Sequence, residues 1–383
     1  MGRLIHFYTL DFRGKGVVVN MQEKTKNIVM VIGFFFILLT IFLANVMKKD
    51  VPISIAERRK LATFPELTAK EVWNGKLTDE FETYAVDQFV ERDFFREMKY
   101  FFSIEVLGQK DNHKLFVKKD GIYKMEYPLN LEAIEKSANK MQKIYEQYLQ
   151  GMQVYYAIVP DKNYYLQDDH LKMDYDELQA KMAESLNEMT YINLLPELSL
   201  EDFYKTDIHW KQENIHKIAN KIETEMGLPA DSQKQYKEIE LGDFYGVYYG
   251  QVGAKVKPDK LKYLSNEEIE ACTTYNYETK KVGKVFDLEK YKTSADKYDI
   301  FLSGATPLLA IENPNATTDK ELLLFRDSFG SSMAPLMIEN YKKITLIDIR
   351  YMASNILEQY INFENQDVLF LYSGTVLNQN IFK

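Results

Sequence analysis

The chain has 383 residues and a formal net charge of −9, and hydrophobic residues make up 46% of it. That length suits two or three domains with a substantial packed core, and the acidic balance excludes a nucleic-acid scaffold built on a basic face. Cys272 is the only cysteine, which excludes an intramolecular disulfide and any cysteine-based zinc site.

Residues Ile28 to Met47 read IVMVIGFFFILLTIFLANVM and carry no charge. A helix of that length crosses a hydrocarbon core of about 30 Å. No small-x-small cleavage site follows the apolar run, so the segment is expected to be an uncleaved signal anchor with the large C-terminal part outside the cell. Met21 opens MQEKTKN, a second plausible start, and residues 1–20 then read as an upstream extension without a structural role.

A polar connector from Lys48 to Pro65 holds the charge cluster Glu57-Arg-Arg-Lys60. Phe81, Tyr84, Ala85, Phe89, Phe94, Phe95, Met98, Phe101 and Phe102 then recur at near-helical spacing, which predicts one or two amphipathic helices packing an aromatic face against the main domain. Lys119-Asp-Gly121 reads as a hairpin turn between Leu115–Val117 and Ile122–Tyr123. A helix is expected from Leu131 to about Gln150, with Gly151 as its C-cap. Val154–Val159 reads as a buried strand, a second helix covers about Asp174 to Leu186, and Tyr191–Leu195 as a further strand. Helix and strand in alternation predict a parallel α/β sheet. Asp161 and Lys162 follow a strand's carboxyl end, where they read as site residues or as ordinary loop polarity.

Lys205-Thr-Asp-Ile-His-Trp210 precedes a helix expected over Gln212–Met226. In extended or turn geometry Asp207 and His209 point the same way, two residues apart. A carboxylate so placed can hold the imidazole tautomer of a catalytic histidine, and the pair reads equally as a structural histidine packed beside tryptophan. A metal set of Asp207, His209 and Asp327 is chemically possible but has no second spaced cluster to support it.

The segment Leu241–Gly250 is rich in glycine and tyrosine and reads as an irregular loop, with sugar stacking or ordinary packing as its use. Thr273–Tyr277 and Lys284–Leu288 read as short antiparallel strands, and Phe301-Leu-Ser-Gly-Ala-Thr-Pro307 as a turn after a further strand-like run. Glu321–Phe325 is a short buried strand, broken by Arg326-Asp-Ser328, with a helix from Ser331 to Tyr341. A serine between a buried strand and a helix start lies at the sheet's carboxyl edge, where open α/β sheets bind ligands, and the helix N–H groups there can stabilise an oxyanion. Taken alone, Ser328 reads as a helix cap. Ile344–Ile349 and Val368–Tyr372 complete the sheet as strands around a helix of about Ala353 to Phe363, and Arg350 leaves a strand end near the proposed site.

Thr206-Asp-Ile-His-Trp210, followed more than a hundred residues later by Arg326-Asp-Ser-Phe-Gly330, resembles the DHHW proteins. These are anchored or secreted proteins related to the SGNH-hydrolase-like acetyltransferases of alginate O-acetylation. The resemblance extends from Ile55-Ala-Glu-Arg-Arg-Lys-Leu61 through Asp87-Gln-Phe-Val-Glu-Arg-Asp93 to Ile347-Asp-Ile-Arg-Tyr351 and the strand Asp367–Tyr372. It implies a triad of Ser328 as nucleophile, His209 as base and Asp207 as orienter, with Gly304, Asp327, Arg350 and Trp210 as oxyanion or substrate-binding candidates. Ile208 stands where the family name has histidine, and Arg326 where SGNH enzymes carry glycine before Asp-Ser.

The expected architecture is an SGNH-hydrolase-like α/β fold, a parallel sheet flanked by helices, with an N-terminal transmembrane helix and a β-rich insertion. Its expected parts are a cytoplasmic N-terminus over 1–27, the anchor 28–47, a connector and helical region over 48–125, and an α/β domain over 126–383 with an insertion at about 233–300. The resemblance implies a single-pass cell-membrane protein, Gram-positive in type, that transfers O-acyl groups, acetyl first, to a cell-envelope or secreted polysaccharide. The implied partners are that polysaccharide acceptor and a membrane-bound O-acyltransferase supplying the acyl donor, with no nucleic acid, metal or cofactor. A polysaccharide O-acetyl esterase and a non-catalytic envelope-assembly protein are the alternative classes.

Overall fold

Strands whose interior residues are apolar toward both faces must be covered on both faces, and the strands around Ser328 meet that requirement. In the computed structural model, residues 23–54, 57, 59–68, 70, 73–167, 169–229 and 234–382 are described, with the short paired strands Tyr8–Thr9 and Val17–Val18. Met21 and the Ile55-Ala56 pair lie outside the described residues. The chain divides into two compact units, one of residues 1–53 with 60–94 and the other of residues 54–59 with 95–383.

In the first unit a 25-residue helix, Glu23–Met47, contains the apolar span Thr25–Met47 with mean hydropathy 2.7. It is long and apolar enough to cross a membrane, and the span has no buried residues. The following chain folds back onto the helix end. Asn45 Oδ1 accepts the Val90 N–H at 2.9 Å, and Lys48 Nζ donates to the Gln88 carbonyl at 3.1 Å. Gln88 Nε2 reaches the carbonyls of Val51 and Ala62 at 3.0 and 2.9 Å. The helix Lys76–Asp87 belongs to this unit.

The second unit is built on an eight-stranded sheet in the order Lys281–Gly283, Thr273–Asn276, Leu308–Glu312, Lys343–Ile347, Glu321–Arg326, Asp367–Ser373, Val154–Val159, Thr190–Ile192. The five strands from Lys343–Ile347 to Thr190–Ile192 pair in parallel, and the other three extend the sheet antiparallel. Side chains alternate between faces with period two. Leu322, Leu324, Leu369 and Leu371 join a core with the helices His216–Glu225 and Ser328–Met337 on one face. Leu323, Phe325, Val368 and Phe370 join a core with the helices Leu131–Ile144 and Tyr175–Ser185 on the other. The sheet is mixed α/β, mostly parallel and covered by helices on both faces, as expected.

Several local elements differ from the sequence reading. The strand Leu308–Glu312 was not expected: its Leu-Leu-Ala-Ile-Glu composition also suits a helix, and burial between Thr273–Asn276 and Lys343–Ile347 overrides that preference. The strand-like run before Phe301 is a 3₁₀ turn, Lys297–Ile300. Instead of a strand over Lys284–Leu288, the edge strand is Lys281–Gly283, and Leu288 starts a short helix. The expected helix of Ala353 to Phe363 shrinks to a 3₁₀ segment, Ser354–Gln359, of which only Leu357 is buried. Gln212–Asn214 is likewise 3₁₀, and the α-helix proper begins at His216. The helix after the Asp-Ser turn starts at Ser328 rather than Ser331, because Asp327 caps it. Of the aromatic stripe, Phe81, Phe94, Phe95, Phe101 and Phe102 are each 45–54% exposed.

Beside the main sheet a hairpin of Lys237–Phe244 and Asp259–Ser265 forms its own two-stranded sheet, with a register shift between Leu261 and Lys262. Asp259 of this hairpin and Val247, between its two strands, bond to the loop that carries Asp207 and His209.

Candidate active site

Glu321–Arg326 has a parallel neighbour on each side, so its carboxyl end opens at the middle of the sheet edge. There Asp327 leaves the strand, and its Oδ1 accepts the Phe329 N–H at 3.0 Å to cap the helix that begins at Ser328. Asp327 Oδ2 accepts the Ser373 N–H at 2.7 Å, tying the turn to the neighbouring strand. Capping of this kind satisfies a helix donor that would otherwise stay unpaired. It leaves Ser328 partly exposed at the start of the helix.

The second element approaches from 119 residues earlier. His209 Nε2 lies 2.7 Å from Ser328 Oγ, and His209 Nδ1 lies 2.5 Å from Asp207 Oδ1. A carboxylate can only accept, so Nδ1 carries the proton and Nε2 is left to accept from the serine hydroxyl. Asp207 is fully buried and His209 is 6% exposed. Asp207 Oδ1 also accepts the His209 backbone N–H at 3.0 Å, and Oδ2 accepts the Val247 N–H at 2.7 Å. The carboxylate is therefore held from two chain segments. Its partner loop passes so close that a Cβ at Gly246 would overlap the Asp207 Cα and Cβ.

The imidazole is also held by its face. The Tyr298 ring stacks on it with centroids 3.9 Å apart and planes 8° from parallel, and Phe329 lies tilted at 5.0 Å. Tyr298 donates to Ser332 Oγ at 2.7 Å, Trp210 Nε1 donates to the same oxygen at 2.8 Å, and Ser332 Oγ donates to the Phe329 carbonyl at 3.2 Å. One hydroxyl thus joins the His209 loop, the Tyr298 segment and the Ser328 helix. Gln212 adds a second bridge, donating to the Ser332 carbonyl at 2.8 Å and accepting the Leu264 N–H at 2.9 Å. Burial holds the Tyr298 phenol well above its usual range, so it stays protonated as a donor.

The structure brings Asp207, His209 and Ser328 together and places the four other candidates differently. Trp210, an oxyanion or substrate-binding candidate, is fully buried and its indole N–H donates to Ser332. Asp327 is buried, and both its oxygens are spent on backbone N–H groups, which also keeps it from converging with Asp207 and His209 on a metal. Gly304 lies in a left-handed turn with its N–H donated to the Phe301 carbonyl at 3.2 Å. Arg350 donates from Nε and Nη2 to Asp348 at 2.9 and 2.6 Å and stacks over Tyr351, which is 52% exposed. Within the first helical turn, the N–H groups of Phe329 and Gly330 go to Asp327 rather than to an open oxyanion position.

Arg326, in place of glycine, is fully buried beneath the turn. It reaches the Asp327 carbonyl at 3.4 Å, Thr306 Oγ1 at 3.5 Å and Asp348 at 4.0 Å, and burial lowers its pKa despite Asp348. Ile208 turns away from His209 into a cluster with Leu115, Ile122 and Tyr248. Sequence reasoning missed Tyr298, Ser332, Val247 and Asp259. Of these only Ser332 had a local signal, lying one helical turn after Ser328.

A mostly parallel sheet covered by helices, with an Asp-x-His loop meeting an Asp-Ser turn at its carboxyl edge, defines a mixed α/β protein with a Ser-His-Asp arrangement. Residues 175–347 match the family model described as DHHW protein. A DHHW family protein from Eubacterium siraeum shares the fold at a TM-score of 0.55 and 17% identity, covering 69% of this chain and 91% of that one. Bacillus cereus PatB1 aligns at a TM-score of 0.57 and 18% identity over 71% of this chain and 99% of its own. PatB1 carrying a sulfonyl adduct aligns at 0.56 and 19% identity over 70% and 97%. A comparison with curated protein sequences finds no match.

Proposed function

We propose that this protein is a membrane-anchored, extracytoplasmic serine O-acyltransferase that moves an acyl group, acetyl first, onto a cell-envelope or secreted polysaccharide. The observation that carries the reading is the unbroken chain from Asp207 through His209 to Ser328, at 2.5 and 2.7 Å. The apolar helix Thr25–Met47 supports the anchor, and the paired motifs shared with the DHHW family support the reaction class.

In this scheme Ser328 Oγ attacks the acyl carbonyl carbon while its proton passes to His209 Nε2. The tetrahedral intermediate collapses, the bond to the donor's leaving group breaks, and that group departs with the proton. The acyl group is now an ester of Ser328. A sugar hydroxyl then gives its proton to Nε2 and attacks the ester, and collapse returns the proton to Ser328 Oγ. Asp207 holds the imidazole tautomer and stabilises the imidazolium in both halves. The donor outside the cell is assigned to a membrane-bound O-acyltransferase by family analogy alone.

The test is to treat the full-length chain in detergent with an activated acetyl ester and record intact mass. A gain of about 42 Da on Ser328, absent in Ser328→Ala and His209→Ala, is the expected acyl-enzyme. Added oligosaccharide should then collect the acetyl group faster than water does. Folded protein that neither gains mass nor turns over the ester would refute the proposal, and release to water alone would make the protein an esterase.

A further inference from the structure

Lys162 follows the strand Val154–Val159, in a 3₁₀ turn capped by Asp161, and is only 3% exposed. Its Nζ donates to the carbonyls of Tyr204 at 2.7 Å, Lys205 at 2.9 Å and Asp207 at 2.8 Å. An ammonium has three protons, and three carbonyls of one segment receive them. The rings of Tyr123 and Tyr248 cover it at 5.4 and 5.1 Å from their centroids.

The N–H groups of the same segment turn to a buried negative charge. Asp259, 7% exposed at the start of the hairpin strand Asp259–Ser265, accepts the Lys205 N–H at 2.8 Å on Oδ1. Its Oδ2 accepts the Thr206 N–H at 2.8 Å and the Thr206 hydroxyl at 2.6 Å. The backbone of residues 204–207 therefore passes between a buried cation on its carbonyls and a buried anion on its donors.

We propose that Lys162 and Asp259 are a split ion pair that positions the loop presenting Asp207 and His209 to Ser328. The inference rests on the triad reading above. Neither side chain touches the reacting atoms, so both are positioning residues, one from the main sheet and one from the hairpin beside it. Burying a charge is costly unless it is paired and hydrogen-bonded, and here each charge is satisfied through the peptide between them. Burial lowers the Lys162 pKa to about 7, opposed by Asp259, Asp207 and Asp161 and reinforced by Lys211. Removing one partner leaves the other charge buried and uncompensated, which disrupts more than removing both.

The experiment uses full-length protein in detergent with Lys162→Met, Asp259→Asn and the double variant. Reaction of Ser328 with phenylmethanesulfonyl fluoride is followed by intact mass across pH, and amide hydrogen exchange is read over residues 204–210. Each single substitution should slow sulfonylation about 100-fold, the scale of a misplacement near 1 Å, and should move the pH midpoint of the reaction, which a simple loss of stability leaves in place. The double variant should lose less than the product of the singles, because contacting residues couple. Folded single variants with wild-type rate and pH midpoint would overturn the proposal. If Lys162→Met does not fold, the near-isosteric Asp259→Asn decides by the same criteria. If the wild type itself is not labelled, the acyl-transfer reading fails separately. Exchange then judges the clamp: faster exchange at Lys205 and Thr206 in Asp259→Asn supports it, and unchanged protection overturns it.

Discussion

The ring of Tyr298 lies flat on the imidazole of His209, centroids 3.9 Å apart, while its hydroxyl donates to Ser332 Oγ at 2.7 Å. The stack fixes the ring plane and the hydroxyl fixes the stack to the helix of Ser328. Tyr298→Phe should keep the stack and cost about 1 kcal/mol for the lost hydrogen bond, with Ser328 labelling within threefold of wild type. Tyr298→Ala should cost roughly 3–5 kcal/mol through the cavity it opens and slow labelling at least tenfold. Denaturant unfolding and sulfonylation kinetics on the same preparations separate the two effects.

Gly246 leaves room for nothing beyond hydrogen, since an added methyl group would overlap Asp207. Its φ of −77° is open to any residue, so the demand comes from close approach rather than backbone conformation. Gly246→Ala should displace the carboxylate and slow acylation of Ser328 by roughly 100-fold. Intact-mass kinetics check this, and a variant that acylates at the wild-type rate would show that the loop yields freely.

Stability should depend on pH through Asp161. Burial raises its carboxyl to about 6 from an ordinary 3.8, although Tyr175 donates to it at 2.9 Å. A carboxyl with a raised folded pKa adds its full stability below the unfolded pKa and loses it as pH rises through the folded one. Wild type should therefore lose roughly 3 kcal/mol relative to Asp161→Asn between about pH 4 and pH 6. Thermal unfolding of both proteins at several pH values measures the difference, and a pH-independent gap would contradict the expectation.

The helix Thr25–Met47 is proposed to hold the protein in the membrane, and Phe36 sits at its midpoint. A lysine at the centre of a spanning helix disfavours insertion by about 2.5–3.5 kcal/mol. Phe36→Lys should move a measurable share of the protein from the carbonate-resistant membrane fraction to the soluble one. An unchanged distribution would mean that another part of the chain carries membrane association.

Much of the fold was legible because the relevant signals are local. The near-continuous burial of Glu321–Arg326 and Val154–Val159 follows from apolar runs bounded by polar residues. The expected helix after Leu131 continues to Leu149, its last turn a π-helix, and Gly151 turns at φ +84° where a C-cap was expected. Leu308–Glu312 was not legible: a short Leu/Ala/Glu run suits helix and strand alike, and only its two strand neighbours decide. In the site, Asp207 and His209 were readable as an i, i+2 pair, and Ser328 as a turn between strand and helix. Lys162 was readable as a site residue or as loop polarity but not as a clamp, because nothing local shows that a segment more than forty residues later will lay its carbonyls over it.

By itself, then, the sequence determined the apolar span near its start, the helix-strand alternation of the sheet and the residue types capable of acyl chemistry. Each is written within a few residues of chain, where periodicity, capping and charge act. The tertiary structure alone decided that His209 meets Ser328 across 119 residues, and that Tyr298, Ser332, Lys162 and Asp259 close around them. It also withdrew Trp210, Asp327 and Gly304 into internal hydrogen bonds. The physical reason is that strand order and core packing set these distances, and a buried polar group takes whichever partner the packed chain brings within reach.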